Sequence, residues 1–402
     1  MPVSRRGFLS LVGTERAAYG AFLSARGLED HLALAQRGQG QRAARPPLPP
    51  GVEEIRISSN ENPLGPGKAA IDAILGKFPE AGRYPFNSSP ADAALVETLA
   101  KKYKAKAENI VLGAGSQEIL KMAMRAWVSP SRGLVTALPT FENCTGYAKK
   151  YGLALVEVKV DSQMRLDVGG MIDAASAGDT GLVFFNNPNN PTATVHGAKT
   201  VADMVARIRK ASPSTVILID EAYHDYVTDP SYETAIPLAL STPNVFVART
   251  FSKAYGMAGV RIGYAIGMPE TMKKLAALKM PYNVSTFAVA AAIASLNDPQ
   301  HIEDERKRNT EVRAFTVQAL KDMGAKPADS QGNFLFADIG RPAAEFRDAC
   351  AKQGVMVGRD FPPFEKTHCR ISIGTQDEMK RAVEVFRAAL KTPITTTAGG
   401  GR

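Results

Sequence analysis

A lysine, Lys253, ends the run Thr250-Phe251-Ser252-Lys253, directly after the apolar stretch Val245-Phe-Val-Ala248. An amine held at the end of a buried strand, among Ser, Tyr and Gly, can attack an aldehyde and form an imine. Arg261 lies eight residues further on, where its guanidinium and the Ser252 hydroxyl could clamp a phosphate. Asp220 closes another apolar run, Val216-Ile-Leu-Ile219. A carboxylate there could pair with a pyridinium nitrogen and keep the ring protonated, which makes such a ring an electron sink. Tyr223, three residues later, could donate to a hydroxyl on the same ring.

Three further places carry polar or aromatic groups at strand ends. Phe184-Phe185-Asn186-Asn187-Pro188-Asn189-Asn190-Pro191-Thr192 puts Asn190 in an extended loop before proline, with its amide free to bond a ring oxygen. Gly113-Ala114-Gly115-Ser116-Gln117 runs from a strand into a helix, whose first N–H groups can cradle a phosphate. Phe141, after Pro139-Thr140, could stack on an aromatic ring. Taken singly, each is more often structural than functional: a loop charge, a cap, a turn or a core side chain.

These groups need a scaffold that gathers strand ends on one edge. Apolar runs at 109–112, 133–137, 154–160, 181–185, 215–219, 244–248 and 261–266 alternate with helical patterns, among them one opened by Ser89-Pro90 to about Tyr103, one over 117–127 and one over 201–210. Continuous apolar strands are buried on both faces, which predicts an α/β fold with a mainly parallel sheet covered by helices. In such sheets ligands bind beyond the carboxyl ends of the strands. After residue 268 two long helical stretches, about 269–297 and 299–323, precede strand 333–338, helix 342–353, strand 369–373 and helix 376–390, a smaller α+β domain. The expected organisation is a large domain over 81–285 and a small domain over 286–392 joined by residues 52–80.

Composition narrows the class. The chain has 402 residues, 45% hydrophobic and 22% charged, as in ordinary globular proteins. Its net charge of +9 is spread among acids, with no basic stripe interleaved with aromatics, so nucleic acid is not an expected partner. No run of 18 apolar residues predicts stable membrane insertion. Cys144, Cys350 and Cys369 are odd in number and form no C-x-x-C, and no H-x-x-x-H occurs, so neither a disulfide framework nor a metal site is expected.

The start, Ser4-Arg5-Arg6-Gly7-Phe8-Leu9, resembles a twin-arginine export signal, with Ala33-Leu34-Ala35 as a cleavage site. Residues 1–35 are thus expected to be a signal for a periplasmic or exported protein, residues 36–51 a Pro- and Arg-rich linker, and residues 393–402 a disordered tail. The alternative is an amphipathic extension on a cytoplasmic protein, since Glu15 and Arg16 interrupt the apolar middle.

Together and in this order, the motifs resemble the aspartate-aminotransferase-like fold type I of pyridoxal-phosphate (PLP) enzymes, most closely the histidinol-phosphate aminotransferase family, over about residues 52–392. They are Ser59-Asn60-Glu61-Asn62-Pro63-Leu64-Gly65-Pro66, Arg83-Tyr84-Pro85, Gly113–Glu118, Pro139-Thr-Phe141, Asn187–Thr192, Asp220-Glu-Ala-Tyr223, Arg249–Lys253 with Gly259–Tyr264, Asn333-Phe334, and Arg370-Ile-Ser-Ile-Gly-Thr375. The resemblance implies that Lys253 carries PLP as a Schiff base and shifts the proton, that Asp220 partners the ring nitrogen, and that Asn190 and Tyr223 face the ring oxygen. It implies Phe141 as the stacking aromatic and Ser116, Gln117, Ser252 and Arg261 as the phosphate cup. Tyr84 would reach the neighbouring subunit's phosphate in a homodimer with shared sites. Arg370 would grip a substrate carboxylate, with Asn60, Asn333 and Arg359 as further substrate contacts.

One departure bears on substrate. The family often has an arginine directly after the apolar run Val355-Met-Val357, used on the substrate phosphate. Here Gly358 stands there and Arg359 comes one later, which on an extended segment turns the side chain to the other face. Phe361-Pro-Pro-Phe364 is expected to add an apolar substrate wall. The implied reaction is ping-pong transamination between an amino acid, or an amino-phosphate such as histidinol phosphate, and a 2-oxo acid. A PLP decarboxylase or lyase on the same fold is the enzymatic alternative, and a non-catalytic PLP-fold binding protein the other.

Overall fold

The computed structural model describes residue 48, residues 52–85 and residues 91–391. The twin-arginine segment, the linker apart from Leu48, the Ser89-Pro90 helix start and the C-terminal tail lie outside the described residues. From residue 52 onward the described residues form one compact unit.

In chain order the first elements are β1 (Ile55–Arg56), α1 (Lys68–Gly76), α2 (Ala91–Tyr103), β2 (Ile110–Gly113), α3 (Ser116–Trp127), β3 (Gly133–Leu138) and α4 (Asn143–Lys150). Next come β4 (Leu155–Lys159), α5 (Val168–Ala177), β5 (Thr180–Asn186), α6 (Ala198–Ala211), β6 (Val216–Asp220), α7 (Ile236–Ser241), β7 (Val245–Thr250) and β8 (Gly263–Gly267). The remainder is α8 (Pro269–Ala276), α9 (Thr286–Leu296), α10 (Pro299–Asp322), β9 (Lys326–Pro327), β10 (Phe334–Asp338), α11 (Ala343–Ala351), β11 (Val355–Met356), β12 (His368–Ser372) and α12 (Gln376–Lys391).

Seven strands form the main sheet in the order β2-β8-β7-β6-β5-β3-β4. All run the same way except β8, which is antiparallel to both neighbours. Strand periodicity explains why the apolar runs are unbroken. Ile217 and Ile219 pack with Val183, Phe185 and Val247 on one face, while Val216 and Leu218 pack with Phe184, Phe246 and Ala248 on the other. Burying each large apolar side chain is worth about 1.5–3 kcal/mol, so both faces demand a cover of helices. Helices α1, α2, α5, α6 and α9 supply it on the first face, and α3 and α8 on the second.

The second core lies around the antiparallel strands β12-β10-β9 and the parallel pair β1–β11, covered by α11, α12 and the end of α10. Ile55 and Ile57 belong to this core, whereas Ala70 of α1 belongs to the first face of the main sheet.

Three elements differ from the sequence expectation. The stretch 269–297 is two helices, because Pro281 cannot continue a helix and Ser285 caps a new one by accepting from Ala288 N–H at 3.1 Å. Helix α5 forms despite Gly169 and Gly170, which weigh against a helix; Asp167 caps it by accepting from Gly170 N–H at 3.0 Å. The strand expected from Arg261 starts only at Gly263, since Arg261 has a positive φ of 64°. Among the described residues no helix is long and apolar enough to cross a membrane.

Candidate active site

Three strand ends lie side by side at the carboxyl edge of the main sheet: Asn186 is paired with Asp220, and Asp220 with Ala248. Because β8 runs against its neighbours, the residues that precede it reach that same edge, Arg261 among them. Strand β2 lies antiparallel to β8 and so points with the others, which brings the turn into Ser116 to the same place.

The turn is shaped by two missing side chains. Gly115 has φ +75°, and a Cβ there would stand 2.3 Å from Arg261 Nη2. A Cβ on Gly263 would stand 2.7 Å from the Ser116 backbone nitrogen. Arg261 therefore lies across bare backbone, donating through Nη2 to Ala114 O at 3.2 Å and through Nη1 to Ser252 Oγ at 3.3 Å and Ala258 O at 2.8 Å. Thr250 Oγ1 donates to Ser252 Oγ at 2.9 Å and fixes that hydroxyl. Gly115 is the N-cap of α3 and has no side chain to cap it, so the helix start presents N–H groups to an anion. Ser116 is buried there and Gln117 is exposed. This cradle of one guanidinium, a hydroxyl and a helix N-terminus fits a phosphate.

Asp220 is 2% exposed, and its Oδ1 accepts from Ala222 N–H at 3.2 Å. Burial pushes its pKa up to about 7. Lys253 is half-buried; its Nζ donates to Ser59 O at 3.2 Å and stands 5.6 Å from the centroid of the Tyr223 ring. Burial first, then the Arg370 charge, pulls the ammonium down to about 8. Asp220 acts on Lys253 and Lys253 on Asp220, so amine and carboxylate share one space. Asn60 Nδ2 donates to the Tyr223 hydroxyl at 3.1 Å, which leaves the phenolic proton to point elsewhere. Burial raises the Tyr223 pKa to about 12, so that proton stays on.

Arg370 comes from β12 and is 6% exposed. Its Nη1 donates to Asn190 Oδ1 at 2.8 Å and its Nη2 to Ser58 O at 2.6 Å, while Nε is buried without a partner. Burial lowers its pKa to about 10, still far above neutrality. Alternation along β12 puts Ser372 on the same face, where its hydroxyl donates to Asn60 Oδ1 and accepts from Asn60 N–H, both at 2.8 Å.

The structure thus brings Lys253, Asp220, Tyr223, Asn190, Asn60, Ser116, Ser252, Arg261 and Arg370 together. Several residues stand differently from the sequence reading. Asn190 turns its oxygen to Arg370, which leaves its amide nitrogen for the donor role, whereas Asn60 is spent on Tyr223 and Ser372. Buried Asn333 donates to Glu61 O at 3.3 Å and holds one loop to another. Arg359 is not an open clamp: both its Nη atoms lie on the Glu142 carboxylate, Nη1 at 2.6 Å from Oε1. Gly358 cannot carry the family's arginine on this backbone, since its Cβ would meet Arg370 O at 2.6 Å. Phe361 is not an open wall; it is buried beneath the Arg359 and Arg370 guanidiniums, and Phe364 packs on Phe336 and His368. Phe141 packs half-buried on the core beside α3, and Tyr84 is 68% exposed with its ring 5.2 Å from that of Tyr282. Ser372 and Glu142 were missed. The spacing from Arg370 could have marked Ser372; nothing marked Glu142.

Residues 52–386 match the family model of class I and II aminotransferases. The histidinol-phosphate aminotransferase of Symbiobacterium thermophilum is 35% identical over 84% of this chain and 90% of its own length, and that of Moorella thermoacetica 34% identical over 85% and 86%. The solved structure of histidinol-phosphate aminotransferase from Sinorhizobium meliloti in complex with pyridoxal-5'-phosphate superposes with a TM-score of 0.78 at 27% identity, covering 84% of this chain and 91% of that one. With a phosphate cradle, a buried acid and an amine at one sheet edge, the chain belongs to the class I and II aminotransferases, PLP-dependent enzymes of fold type I.

Proposed function

We propose that the amino donor is an α-amino acid held by its carboxylate on Arg370, and that the acceptor is a 2-oxo acid. The observation that carries this reading is the buried Arg370 fork, pinned on two sides by Asn190 and Ser58 and acting electrostatically on Lys253. PLP, when bound, supplies an aldehyde for amines and a ring that stabilises negative charge at the amino acid's α carbon. Ser116, Ser252 and Arg261 would hold its phosphate, Asp220 its ring nitrogen and Tyr223 its ring oxygen. Lys253 has a property required of its role: a lowered pKa leaves an appreciable neutral fraction near pH 8 that could take up a proton. Asp220 faces a cation when it partners a protonated ring, which reverses the effect of burial and restores its charge. Incubating the PLP-loaded enzyme with a panel of amino acids and following cofactor absorbance tests the reading; no conversion with any carboxylate-bearing donor would end it.

Histidinol phosphate is the second reading, supported by the names of the relatives. It has no carboxylate, so its phosphate would have to take an arginine. It belongs in the same panel.

A homodimer is supported by the exposed apolar side chains of Leu64, Leu75, Phe78, Tyr84, Met280 and Tyr282, which are 55–68% exposed. Within this set Tyr84 and Tyr282 stand together, 5.2 Å between ring centroids, and exposed apolar side chains that adjoin one another are a common feature of association surfaces. Phe78→Glu should shift the mass in light scattering to that of one chain. Export is supported by Ser4-Arg5-Arg6-Gly7-Phe8-Leu9; Arg5→Lys with Arg6→Lys should retain the protein inside the cell.

A further inference from the structure

Arg359 and Arg370 flank one aromatic ring: their guanidinium carbons lie 4.2 and 4.8 Å from the Phe361 centroid. A ligand whose carboxylate rests on Arg370 therefore has its far end within reach of Arg359. That arginine is not free to receive it. The Glu142 carboxylate engages both Nη atoms, fork to fork, and Asp360 O takes Nη1 as well at 3.1 Å. Glu142 directly follows Phe141 in the loop between β3 and α4, whereas Arg359 follows β11, so the pair ties two distant segments together beside Arg370. Both side chains remain partly exposed, 50% and 43%, and are open to an incoming molecule.

We propose that Glu142 is a specificity-determining residue that neutralises Arg359 and turns the enzyme away from amino donors with a distal anionic group. An approaching phosphate or second carboxylate meets a balanced pair instead of a cation. To bind Arg359 bidentately it must displace Glu142, whose charge then stands beside it unpaired. A donor with an apolar side chain needs neither rearrangement. Specificity here is built by a repulsive element as much as by an attractive one. The same electrostatic reach is visible at Arg370, which Arg359 destabilises as a cation and Glu142 stabilises.

This rests on the transaminase reading above and names its donor class. The test uses the full-length PLP-loaded enzyme with Glu142→Gln and, separately, Glu142→Ala. For each, kcat/KM is measured for phenylalanine and leucine and for aspartate and glutamate. The ratio of anionic to apolar kcat/KM should rise roughly tenfold or more in both variants, as for a charge-assisted bond made available. Adding Arg359→Gln should cancel the rise. A ratio unchanged in both single variants overturns the proposal while leaving transamination intact. A gain that survives Arg359→Gln overturns it as well. A wild-type enzyme that reacts with no donor of either kind sinks both this proposal and the reading beneath it.

Discussion

Arg370 Nη1 donates to Asn190 Oδ1 across 180 residues of sequence, at 2.8 Å. With Nη2 on Ser58 O, the fork is held in one orientation before any ligand arrives. Arg370→Lys keeps the charge and loses the fork. A charge-assisted hydrogen bond is worth about 1.5–3 kcal/mol, so KM for the amino donor should rise roughly ten- to hundredfold. The visible spectrum of the PLP-loaded enzyme should not move. Steady-state kinetics showing an unchanged KM would remove Arg370 from the substrate site.

Gly115 faces Arg261 with no room for a methyl group. Gly115→Ala adds a Cβ at 2.3 Å from Nη2 on a residue with positive φ, so both backbone and guanidinium must shift. The expected result is weaker cofactor retention, by tenfold or more in an equilibrium titration with PLP, with the secondary structure preserved. Wild-type affinity in this variant would show that Arg261 does not form the cradle.

Asp220 gives the cofactor-free protein a defined pH response. Its folded pKa is raised to about 7 from the ordinary 3.8. Folding therefore favours the protonated acid: the contribution is whole below pH 3.8 and is lost as pH rises through about 7. Lys253 acts in a separate window. Its pKa is lowered to about 8 from 10.5, so stability recovers as pH climbs between those values. Melting temperatures of the cofactor-free protein should fall from pH 5 to 7, and Asp220→Asn should flatten that fall. A wild-type slope in Asp220→Asn would assign the response to another group.

Glu221 sits next to Asp220 but serves the scaffold. Its Oε2 accepts from Arg249 Nε at 3.0 Å and Nη2 at 2.7 Å, with both side chains buried. Arg249 Nη1 also donates to the Tyr103 hydroxyl at 3.1 Å. Arg249→Met strands a buried carboxylate and should cost about 3–5 kcal/mol. Adding Glu221→Gln should recover part of that loss. Chemical denaturation of the single and double variants measures both, and an additive double variant would deny the coupling.

Lys253→Ala should abolish the visible absorbance of a lysine–PLP bond and reduce kcat/KM by several orders of magnitude, with the fold intact by circular dichroism. Persistence of that absorbance would move the carrier role to another amine.

Much of this site was written in local sequence. A strand buried on both faces must be apolar throughout, so the first polar residue after each run, Asp220 or Asn186, marks the carboxyl edge. The end of one such run placed Ser252 and Lys253 on that edge, whereas Arg261, which precedes its strand, reaches it only because β8 runs against its neighbours. What sequence could not supply was the choice of partners. Asn60 and Tyr223 are 163 residues apart, and Arg359 and Glu142 are 217 apart. Asparagine and arginine carry several donors, and which acceptor each meets depends on how distant loops fold over one another. Strand periodicity is a property of neighbouring residues and survives in the bare sequence. The pairing of Glu142 with Arg359, and of Arg370 with Asn190, exists only once the sheet edge, the segment after β11 and strand β12 have been packed around one space.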